Sequence, residues 1–114
     1  MIEKRAYQRS PIELAASFGI PEADEIIQSA QVLNMSVDGF CISSEKPIKP
    51  QKSIDLNVEL TEYQTITLKA EVVWCRLEES TKDYRVGIKI LDTRTEDFET
   101  FYRFYSQFLN DSRS

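Results

Sequence analysis

The sequence predicts a mainly β domain, an antiparallel barrel or sandwich of about six strands followed by a C-terminal helix. Apolar and polar residues alternate in short segments separated by turn residues, which is typical of such sheets. Near the C-terminus the apolar spacing changes to the three-and-four pattern of a helix. The chain has 114 residues, of which 41% are hydrophobic, so we expect one domain with its own core.

An extended arm and a first strand open the chain. Pro11 lacks a backbone donor and biases Ser10 toward extended geometry, so residues 1–10 are predicted to form a non-helical, flexible arm. A strand pattern follows and stops at Gly19 and Pro21. Its alternating residues are Ile12, Leu14, Ala16 and Phe18.

The next segment allows two interpretations. Residues 22–25 indicate a solvated turn and residues 27–33 a second strand, whereas a helical turn over residues 22–28 is the alternative. The segment 34–39 is predicted to be a turn in which Gly39 tolerates positive φ. A third strand then begins at Phe40.

Pro47 and Pro50 mark a loop, and three strands with clear alternation follow it. Their alternating residues are Ile54, Leu56, Val58 and Leu60, then Ile66, Leu68, Ala70, Val72 and Trp74, and finally Tyr84, Val86, Ile88 and Ile90. Because Trp74 shares parity with Val72, we expect it to pack in the core or at the mouth of a barrel.

The C-terminal helix is predicted from one large aromatic face. Thr93 and Glu96 have capping-box spacing at its start, and residues 111–114 are predicted to form a frayed tail. The face must bury against the sheet or a partner. Its residues are Phe98, Phe101, Tyr102, Tyr105, Phe108 and Leu109.

Composition argues against catalysis and against metal or cofactor binding. The chain has no histidine, which removes histidine acid–base catalysis and the commonest transition-metal ligand. Cys41 and Cys75 are too few for a disulfide framework and are expected to be small apolar residues in a reducing compartment. We therefore expect a protein that is not an enzyme.

The charge distribution favours a small anionic ligand over a nucleic-acid polymer. Residues 1–10 carry Lys4, Arg5 and Arg9 against Glu3, a net charge of +2. Because the whole chain has a net charge of −5, the remaining residues carry −7. Nucleic-acid binding requires a broad basic surface, which this acidic body lacks. No apolar run is long enough to span a bilayer and no signal peptide is visible, so a cytoplasmic protein without membrane insertion is expected.

Two short polar signatures are the candidate binding site. Arg5 and Arg9 have R-x-x-x-R spacing, and arginine binds phosphate and the guanine O6/N7 edge bidentately. Asn34, Ser36 and Gly39 read N-x-S-x-x-G and offer an amide, a hydroxyl and room for close backbone approach. Taken singly, they are better explained by a solvated basic terminus and an ordinary Asx turn.

Together and in this order, the signatures resemble the PilZ domain, a bacterial receptor for cyclic di-GMP. Val72 and Trp74 are similar to a V-x-W strand of that family, and Gly87 lies between apolar residues as in its last strand. The resemblance covers residues 3–109. It implies a six-stranded antiparallel β-barrel, the PilZ-like split barrel, over residues 11–110 including the C-terminal helix.

The resemblance also implies the ligand and the residues that bind it. Arg5, Arg9, Asn34, Ser36 and Gly39 would bind cyclic di-GMP, and Lys4 is a candidate contact to a second ligand. Ligand binding would order the arm and signal to a separate effector protein, from a monomer or weak homodimer. The alternatives are a ligand-independent adaptor on the same fold and, against the charge distribution, a small nucleic-acid-binding barrel of the OB type.

Overall fold

The computed structural model describes residues 10–21 and 28–113, which form six strands and one helix. In chain order these are β1 (Ser10–Gly19), β2 (Gln28–Ser36), β3 (Gly39–Ser44), β4 (Ser53–Thr61), β5 (Gln64–Glu78), β6 (Asp83–Ile90) and α1 (Glu96–Arg113). Apart from Gln28, the alternative helical turn over residues 22–28 lies outside the described residues.

The strands close into an antiparallel barrel in the order β1-β2-β3-β6-β5-β4, and β4 pairs back to β1. The predicted six-stranded barrel with a C-terminal helix is therefore confirmed, and the alternative of a sandwich is wrong. Alternation along the strands fills the interior with aliphatic and aromatic side chains, as the sequence predicts. Those least exposed include Val32, Ile42, Leu56, Leu68, Val72 and Val86.

The helix α1 packs its aromatic face against the barrel. Phe101 is fully buried, and its ring centroid lies 5.0 Å from that of Phe40 on β3. Tyr105, one helical turn further on, belongs to the same core cluster. Tilted aromatic pairs at this distance add to the free energy gained from burial alone. The predicted aromatic face is thus the surface that joins the helix to the core, except that Tyr102, which was assigned to this face, is 48% exposed.

The ends of α1 differ from the prediction. The amide of Phe98 donates a hydrogen bond to Oγ1 of Thr95 at 3.0 Å, so the N-cap is Thr95 and the predicted cap at Thr93 is wrong. The pattern misled because Glu96 is the first helical residue, where it cannot complete a capping box with Thr93. Residues 111–113, assigned from the sequence to a tail, are helical. Within the described ranges, no helix has the length and apolar character needed to cross a membrane.

Candidate ligand-binding site on the barrel surface

The residues of the N-x-S-x-x-G signature lie on the β2–β3 hairpin, in strands rather than in a long turn. β2 runs through Ser36 and β3 begins at Gly39, so only Val37 and Asp38 connect them. The sequence predicted a turn over residues 34–39. The predicted turn is present but confined to Val37 and Asp38, because Met35 is fully buried opposite Phe40 and holds the preceding residues in the sheet.

Ser36 stabilises the hairpin connection through hydrogen bonds of its buried hydroxyl. Its side chain is only 1% exposed, and its Oγ donates a hydrogen bond to Oδ1 of Asp38 at 2.6 Å. The same Oγ lies 3.4 Å from the carbonyl oxygen of Gly39. A short hydrogen bond to a carboxylate is charge-assisted, so it fixes the exposed Asp38 against the turn. Direct contact between Ser36 and a ligand stays a prediction.

Gly39 is required for close packing and not for an unusual backbone angle. No described glycine has positive φ, so Gly39 does not use the left-handed conformation that a glycine tolerates. A Cβ built at Gly39 would overlap the backbone carbonyl oxygen of Ile88 on β6 and lie 3.2 Å from the Ile88 carbonyl carbon. Glycine therefore allows β3 and β6 to pair where the amide of Ile90 also donates to the carbonyl of Asp38 at 3.0 Å.

Asn34 lies on the outer face of the barrel because β2 contains a bulge. Val32 pairs with Ile42 and Asn34 pairs with Cys41, so Leu33 is an extra residue in β2. A bulge shifts the alternation of side chains by one position. Val32 and Met35, three residues apart, both enter the core, and the half-buried Asn34 is placed outside it.

A second bulge places Trp74 on the same outer face. Val72 pairs with Ile88 and Trp74 pairs with Gly87, so Val73 is the extra residue in β5 and is 55% exposed. The indole covers Gly87, because a Cβ at that glycine would overlap its Nε1 and Cε2 atoms. Val86 and Ile88, the neighbours of Gly87 on β6, both face the core, so position 87 faces outward.

Trp74 is the functional candidate that sequence reasoning misplaced. Its parity with Val72 predicted a position in the core or at the barrel mouth, and this is wrong because the bulge reverses the parity. The available signal was the run of four consecutive apolar residues, Val72 to Cys75, which breaks strict alternation. Such a run does not reveal which residue is the extra one.

The two bulges together produce one cross-strand row on the outer face of the barrel. The row runs through Asn34 on β2, Cys41 on β3, Gly87 on β6 and Trp74 on β5. Neighbouring strands lie about 4.8 Å apart, so the row spans roughly 14 Å. We call these four residues the outer row. It joins a hydrogen-bonding amide at one end to an aromatic surface at the other.

Arginines flank the Trp74 end of the outer row. The guanidinium carbon of Arg76 lies 5.3 Å from the centroid of the Trp74 ring, which is cation–π distance. Arg85, opposite Arg76 in the register, donates from Nη1 to Oδ1 of Asp83 at 2.5 Å. Hydrogen bonds from the Thr81 hydroxyl and from Arg85 lower the pKa of Asp83, which keeps this carboxylate ionised. In the part of the chain that the structure describes, no carboxylate pairs with Arg76.

The arm that carries the R-x-x-x-R signature joins the barrel beside Asn34. Lys4, Arg5 and Arg9 lie outside the described residues, so their roles stay predictions. The first described residue, Ser10, pairs with Met35, and Pro11 pairs with Asn34. The sequence placed the two signatures about two dozen residues apart, and the register brings the end of one next to the start of the other.

The described residues contain no group of three or more His, Cys, Asp or Glu side chains that could hold a metal ion. What the outer row and its surroundings offer is recognition: an amide, a hydroxyl within the turn, an aromatic ring and guanidinium groups. These groups are suited to a planar, hydrogen-bonding, anionic molecule.

Comparison with known proteins identifies the family. The model of the PilZ domain matches residues 3–107. A search of curated proteins gave no match. The structure resembles the PilZ domain of Escherichia coli YcgR with cyclic di-GMP, at 12% identity and a TM-score of 0.75, covering 97% of this chain and 95% of that one.

Two longer proteins are also similar in structure. The Klebsiella MrkH complex with cyclic di-GMP matches at 13% identity and a TM-score of 0.78, covering 98% of this chain and 55% of that one. The Bacillus subtilis inhibitor of motility, MotI, matches at 16% identity and a TM-score of 0.73, covering 96% of this chain and 53% of that one. The chain therefore spans about half the length of these two relatives.

Proposed function

The chain belongs to the PilZ domain family, and from this premise we propose that it is a receptor for cyclic di-GMP. In this proposal Arg5 and Arg9 bind the ligand from the arm of residues 1–10. Asn34, Ser36 and Gly39 form the part of the site on the barrel. Lys4 contacts a second ligand where two are bound. The relatives YcgR and MrkH, whose structures contain cyclic di-GMP, support the ligand class.

The observation that carries the proposal is the register between β1 and β2. Ser10 pairs with Met35 and Pro11 pairs with Asn34, so the chain leaves the barrel next to the N-x-S-x-x-G signature. Arg9 directly precedes Ser10, and Arg5 lies five residues before it. At about 3.4 Å per extended residue, Arg5 reaches no further than roughly 17 Å from Ser10. Both arginines are therefore tethered within reach of the outer row.

The proposed site has two halves, one on the arm and one on the barrel, and the chemistry of both is complementary to a guanine nucleotide. Asn34 presents a carbonyl acceptor and an amide donor on the outer face, which suits the Watson–Crick edge of guanine. Arginine binds phosphate and the O6/N7 edge of guanine bidentately and stacks on bases. A ligand with two guanines and two phosphates can use both halves at once. The missing histidine and the scattered acidic residues leave no acid–base pair for catalysis.

The proposed signal is ordering of the arm. A dianionic ligand bridges the positively charged arm and the hairpin, and its phosphates hold the arm arginines beside the barrel through charge-assisted hydrogen bonds. The arm then folds against the barrel and creates a surface for a separate effector protein. The receptor acts in the cytoplasm as a monomer or weak homodimer.

One observation favours the alternative of a ligand-independent adaptor. The Ser36 hydroxyl already donates to the Asp38 carboxylate at 2.6 Å, and that carboxylate is a negative charge within the hairpin proposed to bind an anionic ligand. If the only role of the Ser36–Asp38 hydrogen bond is to stabilise the turn, the domain binds no nucleotide and acts through contacts with other proteins. The two functions differ in whether cyclic di-GMP binds at all.

Titration calorimetry with cyclic di-GMP tests the proposal. We expect heat of binding for the wild-type protein and a loss of affinity of roughly 5- to 150-fold in Arg9→Ala, which corresponds to the ~1–3 kcal/mol of a bidentate contact. Arg103→Ala is the matched control, because Arg103 is exposed on α1 rather than on the barrel wall. No heat at high micromolar ligand, or equal affinity in the two variants, would sink the proposal.

Amide NMR spectra separate the receptor from the adaptor. For the receptor, ligand shifts the signals of residues 1–10 and of the β2–β3 hairpin, and the arm signals change from sharp to broad or dispersed. For the adaptor, the spectra are unchanged at saturating cyclic di-GMP. The calorimetric titration also gives the number of ligands bound per chain.

A further inference from the structure

The connection between β3 and β4 carries a short repeat that lies outside both signatures. Residues 46–52 read Lys-Pro-Ile-Lys-Pro-Gln-Lys, so a lysine stands at every third position. With Glu45 before them, the three lysines give residues 45–52 a net charge of +2. The whole chain has a net charge of −5, so this segment is opposite in charge to the protein that carries it. We call residues 45–52 the basic loop.

Backbone hydrogen bonds fix the basic loop at both ends. At its start, Oγ of Ser44 donates to the carbonyl of Lys46 at 2.7 Å and accepts from the amide of Lys46 at 3.3 Å. At its end, the amide of Gln51 donates to the carbonyl of Val72 on β5 at 2.7 Å. The amide of Val72 in turn donates to the carbonyl of Lys52 at 2.9 Å. The loop is therefore tied to the barrel on either side.

A tight turn and a buried isoleucine fix the rest of the loop. The amide of Lys52 donates to the carbonyl of Lys49 at 3.3 Å, and Gln51 between them has a φ of 71°. Proline at the second position, here Pro50, and positive φ at the third are features of a type II turn. A residue other than glycine keeps such a φ only where its surroundings hold it. Ile48 is 3% exposed and belongs to the core cluster, so the lysines stand on an anchored backbone.

The lysines of the basic loop present their charge at the surface. Lys46 and Lys49 are exposed, and Lys52 is half-buried. Among residues 10–21 and 28–113, no ion pair involves any of the three. Ile48 and the backbone hydrogen bonds already hold the loop, so the fold does not depend on the ammonium groups. Successive lysines are three residues apart, which is at most about 10 Å along the chain.

The basic loop lies at the opposite end of β3 from the β2–β3 hairpin. β3 begins at Gly39 of the N-x-S-x-x-G signature and ends at Ser44, where the loop starts. At about 3.3 Å per residue, roughly 17 Å of strand separates the hairpin from the loop. The loop then crosses to β4, which begins at Ser53. A partner can therefore bind the loop without covering the hairpin.

We propose that the basic loop is a docking surface for an acidic segment of a partner protein. Lysine ammonium groups are compact charges with three donors, so they bind the carboxylates of an extended peptide without a demanding geometry. An anionic membrane is a poorer match, because the polybasic segments that bind such lipids contain about four to eight lysines or arginines. A nucleic acid requires a broad basic surface, whereas the rest of this protein is acidic.

The competing explanation is that the lysines only keep the loop solvated. In that case an acidic peptide gains no more from the loop than from any other exposed lysine. Lys82, in the connection between β5 and β6, is exposed and provides this comparison. The arm with Arg5 and Arg9 is a second basic segment to which the same peptide is attracted, so the test includes an arm variant.

Fluorescence anisotropy with labelled octaglutamate tests the proposal on the full chain. We expect the wild-type protein to bind at ~20 mM salt and to lose affinity as the salt concentration rises, because exposed charges are screened. Lys49→Glu should bind about 5- to 10-fold more weakly than Lys82→Glu, which makes the same change of charge at another exposed position. Lys46→Glu should weaken binding by a similar factor. Circular dichroism checks that each variant is folded.

The outcomes separate the basic loop from other sites and other partners. Absence of binding to the wild-type protein, or equal affinity of Lys49→Glu and Lys82→Glu, would overturn the proposal. A loss of affinity confined to Arg9→Ala would place the peptide on the arm and overturn it as well. Single-stranded oligothymidylate and phosphatidylserine vesicles are titrated in parallel, and tighter binding of either through Lys49 would replace the acidic protein with a nucleic acid or a membrane. None of these measurements uses cyclic di-GMP, so the proposed receptor function stands or fails separately.

Discussion

Gly39 on β3 and Ile88 on β6 approach so closely that the backbone carbonyl of Ile88 occupies the position of a Cβ at residue 39. The obstacle is backbone within a six-stranded closed barrel, so it cannot rotate away as a side chain can. The glycine of the binding signature is therefore also a condition for pairing β3 with β6. A substitution at this position is therefore expected to lower the stability of the barrel and, if the proposed site is correct, to change ligand binding as well.

Gly39→Ala is expected to destabilise the fold by about 1–3 kcal/mol, the usual cost of forcing extra atoms into a packed site. Urea unfolding followed by circular dichroism measures this free energy. Ser43→Ala is the control, because it also introduces alanine into β3, at a half-buried position. An unfolding midpoint for Gly39→Ala equal to that of the control would show that β3 and β6 accommodate a side chain at residue 39 at little cost in free energy.

Gly87→Ala is expected to act through Trp74. The added methyl group meets the indole, a side chain that can move, so the cost should be smaller than at Gly39 and should vanish when the indole is absent. A double-mutant cycle with Trp74→Ala measures this coupling, which we expect to be about 1 kcal/mol or more. In the single variant Gly87→Ala, displacement of the indole into solvent should shift its emission to longer wavelength. Additive free energies in the cycle would contradict the packing of Trp74 on Gly87.

The sequence predicted the barrel, its strand alternation and the aromatic helix face, because these follow from periodic burial of residues such as Leu56, Leu68 and Phe101. It did not predict the bulges at Leu33 and Val73. A bulge depends on the register between two strands that are distant in sequence, and no local pattern specifies which residue is extra. The signatures were therefore found, whereas the outer row that joins Asn34 to Trp74 was not.

Thr95→Ala is expected to destabilise the protein by about 1 kcal/mol, because it removes the Oγ1 acceptor for the amide of Phe98 at the start of α1. Thr93→Ala is the matched control, since Thr93 is exposed and lies before the N-cap. Thermal unfolding of the two variants under the same conditions measures the difference. If Thr93→Ala were the more destabilising substitution, the cap predicted from the capping-box spacing would be correct and Thr95 would not be the N-cap.

Asp38→Asn is expected to tighten binding of cyclic di-GMP about 2- to 5-fold at low salt, because an exposed charge near the ligand contributes up to roughly 1 kcal/mol. Asparagine keeps an oxygen that can accept the hydrogen bond from Ser36 Oγ, so the hairpin is preserved while one negative charge beside the ligand is lost. Glu99→Gln on α1 removes the same charge from an exposed helical position and is the control. Calorimetric titrations at ~20 mM and ~500 mM salt should show the gain shrinking as the Debye length falls. A gain of the same size at high salt would contradict the electrostatic explanation, because screening should reduce it.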